Sequence, residues 1–370
     1  MKTIGIITFH SAHNYGSVFQ AYAMLRIMQK LGLSAKIIDY RHPMTTAMYE
    51  YVGWNKDFSI KQNLSNLWYK GICRDGRERA RIFNDFITNN MCLTERVNNP
   101  KAIKEEFDYL VCGSDQIWNP LASGRNDPVY YLDFGNKDSI RFSYAASSGS
   151  YPFADGREKV IRTYLEAMKL IGVRETYMKE YIRKKLNLDS QVNPDPTVLL
   201  KKEDWEQIEE KHPSINEEKK YILVYTLSKM GDTIKFAKQV GAKYDLPVIH
   251  INHLIGKSCN VEGIQSLKNV TPGQFLWLYH HTSFVVSNTF HGNMFSIIYR
   301  KPFVWYCTSD TDSRIQTLHD AVGLFDSRKV RGLDEIEKTD IINLDYSIIE
   351  DKIEQFRENG ISFIKKCLEN

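Results

Sequence analysis

Short apolar runs alternate with amphipathic stretches along most of this chain, and the alternation starts at the first residues. Ile4, Ile6, Ile7 and Phe9 form a run of strand length; after the polar loop His10 to Tyr15, the residues Val18, Tyr22, Leu25, Met28 and Leu31 recur at helical spacing. The pattern predicts a strand over Thr3 to Phe9, a helix over Gly16 to Leu31 with one face on a sheet, and a second strand over Ala35 to Asp39. Gly32 ends the helix as a left-handed C-terminal residue does, and a following parallel strand needs a right-handed crossover. An open α/β domain begins in this way.

The segment Arg41 to Asn99 is polar and aromatic, shows no strand pattern and carries Arg74, Arg77, Arg79 and Arg81, so it reads as helices and loops inserted at about 41–100. Strand signals return at Phe107 to Cys112, Ile140 to Ala146 and Leu170 to Val173, with amphipathic helices at Lys159 to Ala167 and Glu175 to Leu186. Asn193-Pro194-Asp195-Pro196 reads as a break, because two prolines in three positions remove donors and force extended backbone. A charged helix (Lys202 to Lys211) and a second α/β series follow: strands at Tyr221 to Thr226, Pro247 to Ile251, Ser283 to Ser287 and Phe303 to Tyr306, with helices at Asp232 to Tyr244, Pro272 to His280 and Gly292 to Tyr299. The last stretch places Ile348, Ile349, Ile353, Phe356 and Ile364 on one helical face. The expected organisation is an α/β domain over 1–195, a second over 196–345, and a C-terminal helix over 346–370 packing back on the first.

Composition narrows the function. A length of 370 residues suits two domains with a cleft between them, and 42% hydrophobic with 25% charged residues is ordinary for a globular protein. The net charge of +4 is too small to argue for nucleic acid, and no apolar stretch approaches the length of a membrane span. The six cysteines (Cys73, Cys92, Cys112, Cys259, Cys307 and Cys367) show neither disulfide nor zinc spacing, which points to reduced thiols in the cytoplasm. His250 and His253 lack a third nearby ligand. His280 and His281 are adjacent on a helix, where neighbours point apart, so no metal site is expected.

In open α/β sheets, ligands sit beyond the carboxyl ends of the strands. Four loops there are conspicuously polar: His10 to Ser17, Gly113 to Asn119, Gly172 to Glu175, and Ser287 to Gly292. Taken singly each is ordinary turn chemistry. Taken in order, with ITFHSAHNYGSVFQAYA, VCGSDQIWN, SYAASSG, VRE, PDPTVLL and SNTFHGNMFSIIYRKPF, they resemble the polysaccharide pyruvyl transferase family from about Ile4 to Arg314.

The resemblance implies two Rossmann-like domains facing across a cleft, a glycosyltransferase-B-like fold. It implies phosphoenolpyruvate as co-substrate with no further cofactor, and as acceptor a sugar of a cell-surface glycan or its lipid-linked precursor. The product is a pyruvate ketal and inorganic phosphate. Such a donor carries a carboxylate and a phosphate, which planar guanidinium donors and helix N-termini suit. Arg174 is then a donor-binding arginine, and its replacement by Ala is expected to weaken donor binding or abolish turnover with the fold intact. His291 is the acid that protonates the donor methylene, or a phosphate contact. Ser114, Asn288, Thr289, Gly292 and Arg314 are further donor-binding candidates, and Asp115 is a candidate base for the acceptor hydroxyl, helix capping being the bland alternative. His10, His13, Asn14, Tyr15 and Gly16 form a loop that meets donor or acceptor, Gly16 allowing close approach. Tyr15, Trp118 and Trp305 stack on sugars or lie in the core.

Two other classes stay open at this level: a sugar-nucleotide glycosyltransferase of the same architecture, and a non-catalytic glycan-binding relative. The lack of a Gly-x-Gly-x-x-Gly or Walker loop weakens nucleotide binding. With a lipid-linked acceptor, Arg74 to Arg81 or Arg183-Lys184-Lys185 would touch the inner face of a membrane, a contact at most peripheral.

Overall fold

The computed structural model describes the chain except residues 43–45, 48, 51–52, 57, 150, 155, 228–229, 255–260, 308–312, 337–341 and 370. Cys259 and the run Thr308 to Asp312 therefore lie outside the described residues. Among the described residues, twelve strands form two parallel six-stranded sheets. The first contains β1 (Thr3–Ile7), β2 (Ser34–Ile37), β3 (Tyr109–Cys112), β4 (Ile140–Ala146), β5 (Leu170–Val173) and β6 (Gln191–Val192), in the order β2-β1-β3-β4-β5-β6. The second contains β7 (Ile222–Tyr225), β8 (Val248–Asn252), β9 (Ile264–Lys268), β10 (Phe284–Ser287), β11 (Phe303–Tyr306) and β12 (Lys329–Val330), in the order β12-β11-β10-β7-β8-β9.

The central strands Tyr-Leu-Val-Cys of β3, Ile-Leu-Val-Tyr of β7 and Phe-Val-Val-Ser of β10 are buried at every position. Continuous apolar runs of this kind belong in parallel sheets covered on both faces. Strands β6, β9 and β12 were not expected from the sequence. Two are only two residues long, and β9 exposes Gln265 and Lys268 as an edge strand, so none carries an apolar run.

The described helices are α1 (Tyr15–Lys30), α2 (Ile60–Asn66), α3 (Arg74–Asn90), α4 (Glu158–Glu166), α5 (Thr176–Tyr181), α6 (Pro196–Leu199), α7 (Lys202–Glu206), α8 (Met230–Tyr244), α9 (Pro272–His281), α10 (Phe290–Ile298), α11 (Ser313–Ala321) and α12 (Glu350–Leu368). The charged helix expected to reach Lys211 stops at Glu206.

Helix α1 is apolar around most of its circumference, with 13 of its 16 residues buried, because elements of both halves cover it. Phe19 meets Phe86 of α3 at 5.9 Å, Trp205 at 5.5 Å and Phe295 of α10 at 5.0 Å. Tyr15 stacks on Phe275 at 4.5 Å and donates its hydroxyl to the Val270 carbonyl at 2.7 Å. One aromatic core therefore fixes the N-terminus of α1 against the second sheet. Helix α12 returns to the first half, where Tyr109 of β3 donates to the Leu368 carbonyl at 3.0 Å, and its Arg357 Nε donates to the Val198 carbonyl of α6 at 2.8 Å.

Candidate active site

The site grows from strand ends. Beyond β1, Asn14 caps α1 by accepting from the Gly16 N–H at 2.9 Å. Beyond β3 the chain turns at Gly113, whose φ of +115° favours glycine; a Cβ there would lie 2.1 Å from the Tyr144 carbonyl oxygen. That turn delivers Ser114 and Asp115 side by side. Beyond β5 comes Arg174, beyond β6 Asp195, and beyond β10 the cap Thr289 and then His291.

These loops converge on Arg174 and Asp195, which are 3% and 1% exposed. Arg174 Nη2 lies 2.7 Å from Asp195 Oδ2 and also donates to Ser114 Oγ. Ser114 Oγ donates to Asp195 at 3.0 Å, while Asp195 Oδ1 accepts from the Thr197 N–H at 3.0 Å and the Thr197 hydroxyl at 2.7 Å. Burial alone would raise the Asp195 carboxyl; Arg174, then His291, and the Thr197 N–H overcome it and hold the carboxyl well below the usual range. The guanidinium lies 5.0 Å over the Phe290 ring. Its Nε and Nη1 are buried with no hydrogen-bond partner, and Nη1 is 3.9 Å from Asp115 Oδ1. Asp195 already matches the Arg174 charge, so an incoming anion meets two unused donors rather than surplus charge.

His291 Nε2 is 3.7 Å from Asp195 Oδ2, beyond hydrogen-bond length, and is likewise unpartnered. The other edge of the ring faces Gly16, where an added Cβ would sit 2.1 Å from Nδ1. The space left by Gly16 is therefore filled by a side chain of the second half. Thr289 caps α10 by accepting from the Gly292 N–H at 2.9 Å, and a Cβ on Gly292 would lie 2.0 Å from Ser287 Oγ. Asn288 accepts from the Leu227 N–H at 3.3 Å and donates to Thr233 Oγ1 at 3.4 Å, which ties the loop to its neighbours. Asp115 Oδ2 accepts from the Ser17 hydroxyl at 2.7 Å and Oδ1 from the Gln116 N–H at 2.8 Å. Arg314 opens α11, and its charge, like that of Arg174, reaches the buried Glu175. Burial raises that carboxyl and the two arginines oppose it. Lys301 lies beside Lys202 and Glu209, outside the cluster.

The first loop divides. Gly16 reaches the cluster at His291 and Asn14 caps the turn that carries it, but His10 lies apart: its Nε2 is 2.8 Å from Asp39 Oδ1, its Nδ1 is 3.2 Å from the Thr8 carbonyl, and it is 1% exposed. His13 stacks on Phe83 at 5.8 Å, and its carbonyl accepts from Arg79 Nη2 at 2.7 Å. Burial, followed by Arg79, Arg41 and Lys70, lowers its pKa to about 4. Tyr15 serves the interlayer core. Trp118 is fully buried, donates to the Tyr130 carbonyl at 2.9 Å and stacks on Tyr131 at 5.4 Å, and Trp305 is 3% exposed. All three aromatics considered for sugar stacking are core residues.

Three further expectations change. Arg79 turns inward to the His13 loop rather than toward a membrane. His280 and His281 do not point apart: their rings are 4.7 Å apart, and one ligand atom from each lies within 4.8 Å of a Glu209 oxygen and of the other. Arg174 is buried and paired with Asp195, so alanine there strands a buried carboxylate and is expected to cost stability as well as donor binding. Asp195 is the residue that sequence reasoning missed; its two prolines read as a break, although an Asp two residues before a Thr at a helix start is itself an N-cap signal.

Two parallel six-stranded sheets with helices, and a cluster at their facing carboxyl edges, define a glycosyltransferase-B-like protein built from two Rossmann-like halves. The family model for polysaccharide pyruvyl transferase matches residues 14–309, and the chain belongs to that family. No curated protein matches the sequence. Among solved structures, the chain is similar to the UDP-GlcNAc 2-epimerase of Neisseria meningitidis bound to UDP-GlcNAc: TM-score 0.51, 11% identity, covering 100% of this chain and 99% of that one. The UDP-N-acetylglucosamine 2-epimerase of Rickettsia bellii gives a TM-score of 0.50 at 11% identity, covering 100% and 96%. At this identity the likeness concerns the fold alone.

Proposed function

We propose that this transferase moves the enolpyruvyl-derived group of phosphoenolpyruvate onto two hydroxyls of one sugar in a cell-surface glycan or its lipid-linked precursor. It would act in the cytoplasm, at the inner face of the membrane. The observation that carries this reading is the pair of unused Arg174 donors held by Asp195 beside the unpartnered His291 Nε2.

Ketal formation needs few groups. His291 gives a proton to the methylene carbon of the donor, which becomes a methyl group and leaves an oxocarbenium-like C2. One acceptor hydroxyl adds there and loses its proton to Asp115. Phosphate leaves, and the second hydroxyl closes the ketal as its proton goes to the departing phosphate. Return of the proton from Asp115 to His291 through solvent restores both groups, and the sum is phosphoenolpyruvate plus diol to ketal plus hydrogen phosphate. Arg174 Nε and Nη1 hold a donor oxyanion, with the N-terminus of α10 and Arg314 adding positive potential. No step requires a nucleotide.

Isothermal titration of the purified protein with phosphoenolpyruvate, and separately with UDP-GlcNAc, tests the reading. The expected result is binding of phosphoenolpyruvate, weakened at least about tenfold in Arg174→Lys, which keeps the charge opposite Asp195 and loses the planar fork. Binding of UDP-GlcNAc in place of phosphoenolpyruvate would overturn it in favour of a sugar-nucleotide enzyme.

A further inference from the structure

The inserted helices carry a surface whose polarity is reversed. Twelve large hydrophobic residues are exposed among the described ones, and five of them (Trp54, Ile60, Leu64, Trp68 and Ile72) fall within nineteen consecutive positions. Such clustering marks a contact surface, whereas scattered exposed apolar residues do not. Ile60 is 69% exposed, Leu64 55%, Trp68 56% and Ile72 51%. They recur every fourth residue along α2 and the π-helical turn Leu67–Ile72 that continues it. A step of four residues overshoots one α-helical turn and falls short of one π turn, so the π segment brings Ile72 back toward the row.

The only α2 residue buried is polar. Asn63 is 2% exposed; its Nδ2 donates to the Asn55 carbonyl at 2.9 Å and the Phe58 carbonyl at 3.1 Å, and its Oδ1 accepts from the Asn55 N–H at 2.9 Å. Lys70 Nζ is likewise held inward by the Ala47 carbonyl. The helix thus points its amide toward the protein and its leucine and tryptophan toward solvent, an arrangement no core would select.

Charge identifies the occupant. From Phe58 to Arg74 the sequence has no acidic residue, and Lys56, Lys61, Arg74 and Arg77 are exposed around the row. Asp75, the next acid, is engaged by Lys268 at 3.3 Å. An apolar row with tryptophans, rimmed by cations, fits the headgroup boundary of an anionic bilayer. No helix among the described residues is long and apolar enough to cross one. We infer that the Ile60–Ile72 segment lies in the plane of an anionic lipid surface. Helix α3 leads directly from this segment to Arg79, which holds the His13 carbonyl of the first-strand loop, so docking brings the catalytic edge to the bilayer.

Sedimentation of the full chain with vesicles tests this without any substrate, and so independently of the pyruvyl-transfer reading. Partitioning onto phosphatidylcholine vesicles containing phosphatidylglycerol should exceed that onto phosphatidylcholine alone at least about tenfold and fall in high salt. The double variant Leu64→Ser/Trp68→Ser, altered only at exposed positions, should bind at least about tenfold more weakly with an unchanged melting temperature. Equal partitioning of parent and variant, or a parent that stays in the supernatant with both vesicle types, would overturn the inference. So would a parent dimer that the variant converts to monomer without any vesicle binding, since a second copy would then be the occupant.

Discussion

Asp195→Asn isolates the group on which the whole cluster leans. The substitution keeps the shape and, with its oxygen toward Thr197, the helix cap; the amide nitrogen then stands in place of Oδ2, so the charge and the acceptor opposite Arg174 are lost together. At 2.7 Å, and with an effective dielectric near 20, the Coulomb attraction is roughly 6 kcal/mol. Desolvation of both groups offsets part of this, and breaking one side of a buried pair costs about 3–5 kcal/mol because the other charge is stranded. The variant is therefore expected to lose about 3 kcal/mol or more in urea unfolding at pH 7, followed by tryptophan fluorescence. The pH dependence has a fixed sign. The carboxyl is depressed in the folded state, so its contribution is complete above its unfolded pKa of about 4 and is lost as pH falls toward the folded value. The difference between parent and variant should stay constant from about pH 8 to 5 and shrink below about pH 4. A loss under about 1 kcal/mol at pH 7, or a difference that grows on acidification, would refute the pairing.

Two more tests probe the cluster and its rim. Gly16→Ala places a Cβ 2.1 Å from His291 Nδ1, so the ring must move; phosphate release from phosphoenolpyruvate with acceptor should fall at least about 100-fold while far-ultraviolet circular dichroism stays unchanged, and near-parental turnover would free His291 from its acid role. His13, lowered to about 4, should be neutral at pH 7 and titrate far below 6.5 by proton NMR. Because its folded pKa is the lower one, it withdraws stability as pH falls from about 6.5 to 4, and His13→Phe should reduce that acid sensitivity; a normal titration near 6.5 would show the ring to be solvated.

What the residues alone decide is local. Apolar runs such as Tyr109 to Cys112 and Phe284 to Ser287, set between amphipathic helices, already require parallel sheets covered on both faces, and the ordered motifs at their ends already point to the family. Strand ends place Arg174, Asp115 and His291 at carboxyl edges, because a loop position follows from its own strand. Which of those loops meet is settled elsewhere. His10 and His13 share a loop with Gly16, yet one bonds Asp39 and the other stacks on Phe83, since side chains a residue or two apart leave a turn in different directions. Asp195 gains its meaning only when β6 runs beside β5 and sets its carboxylate against a guanidinium twenty-one residues earlier, a pairing that no spacing rule encodes. The outward row Ile60, Leu64, Trp68 and Ile72 has the periodicity of any core helix, so its spacing predicts an amphipathic helix but not where its apolar face points. Only packing, through the burial of Asn63, shows that this face is turned to the outside.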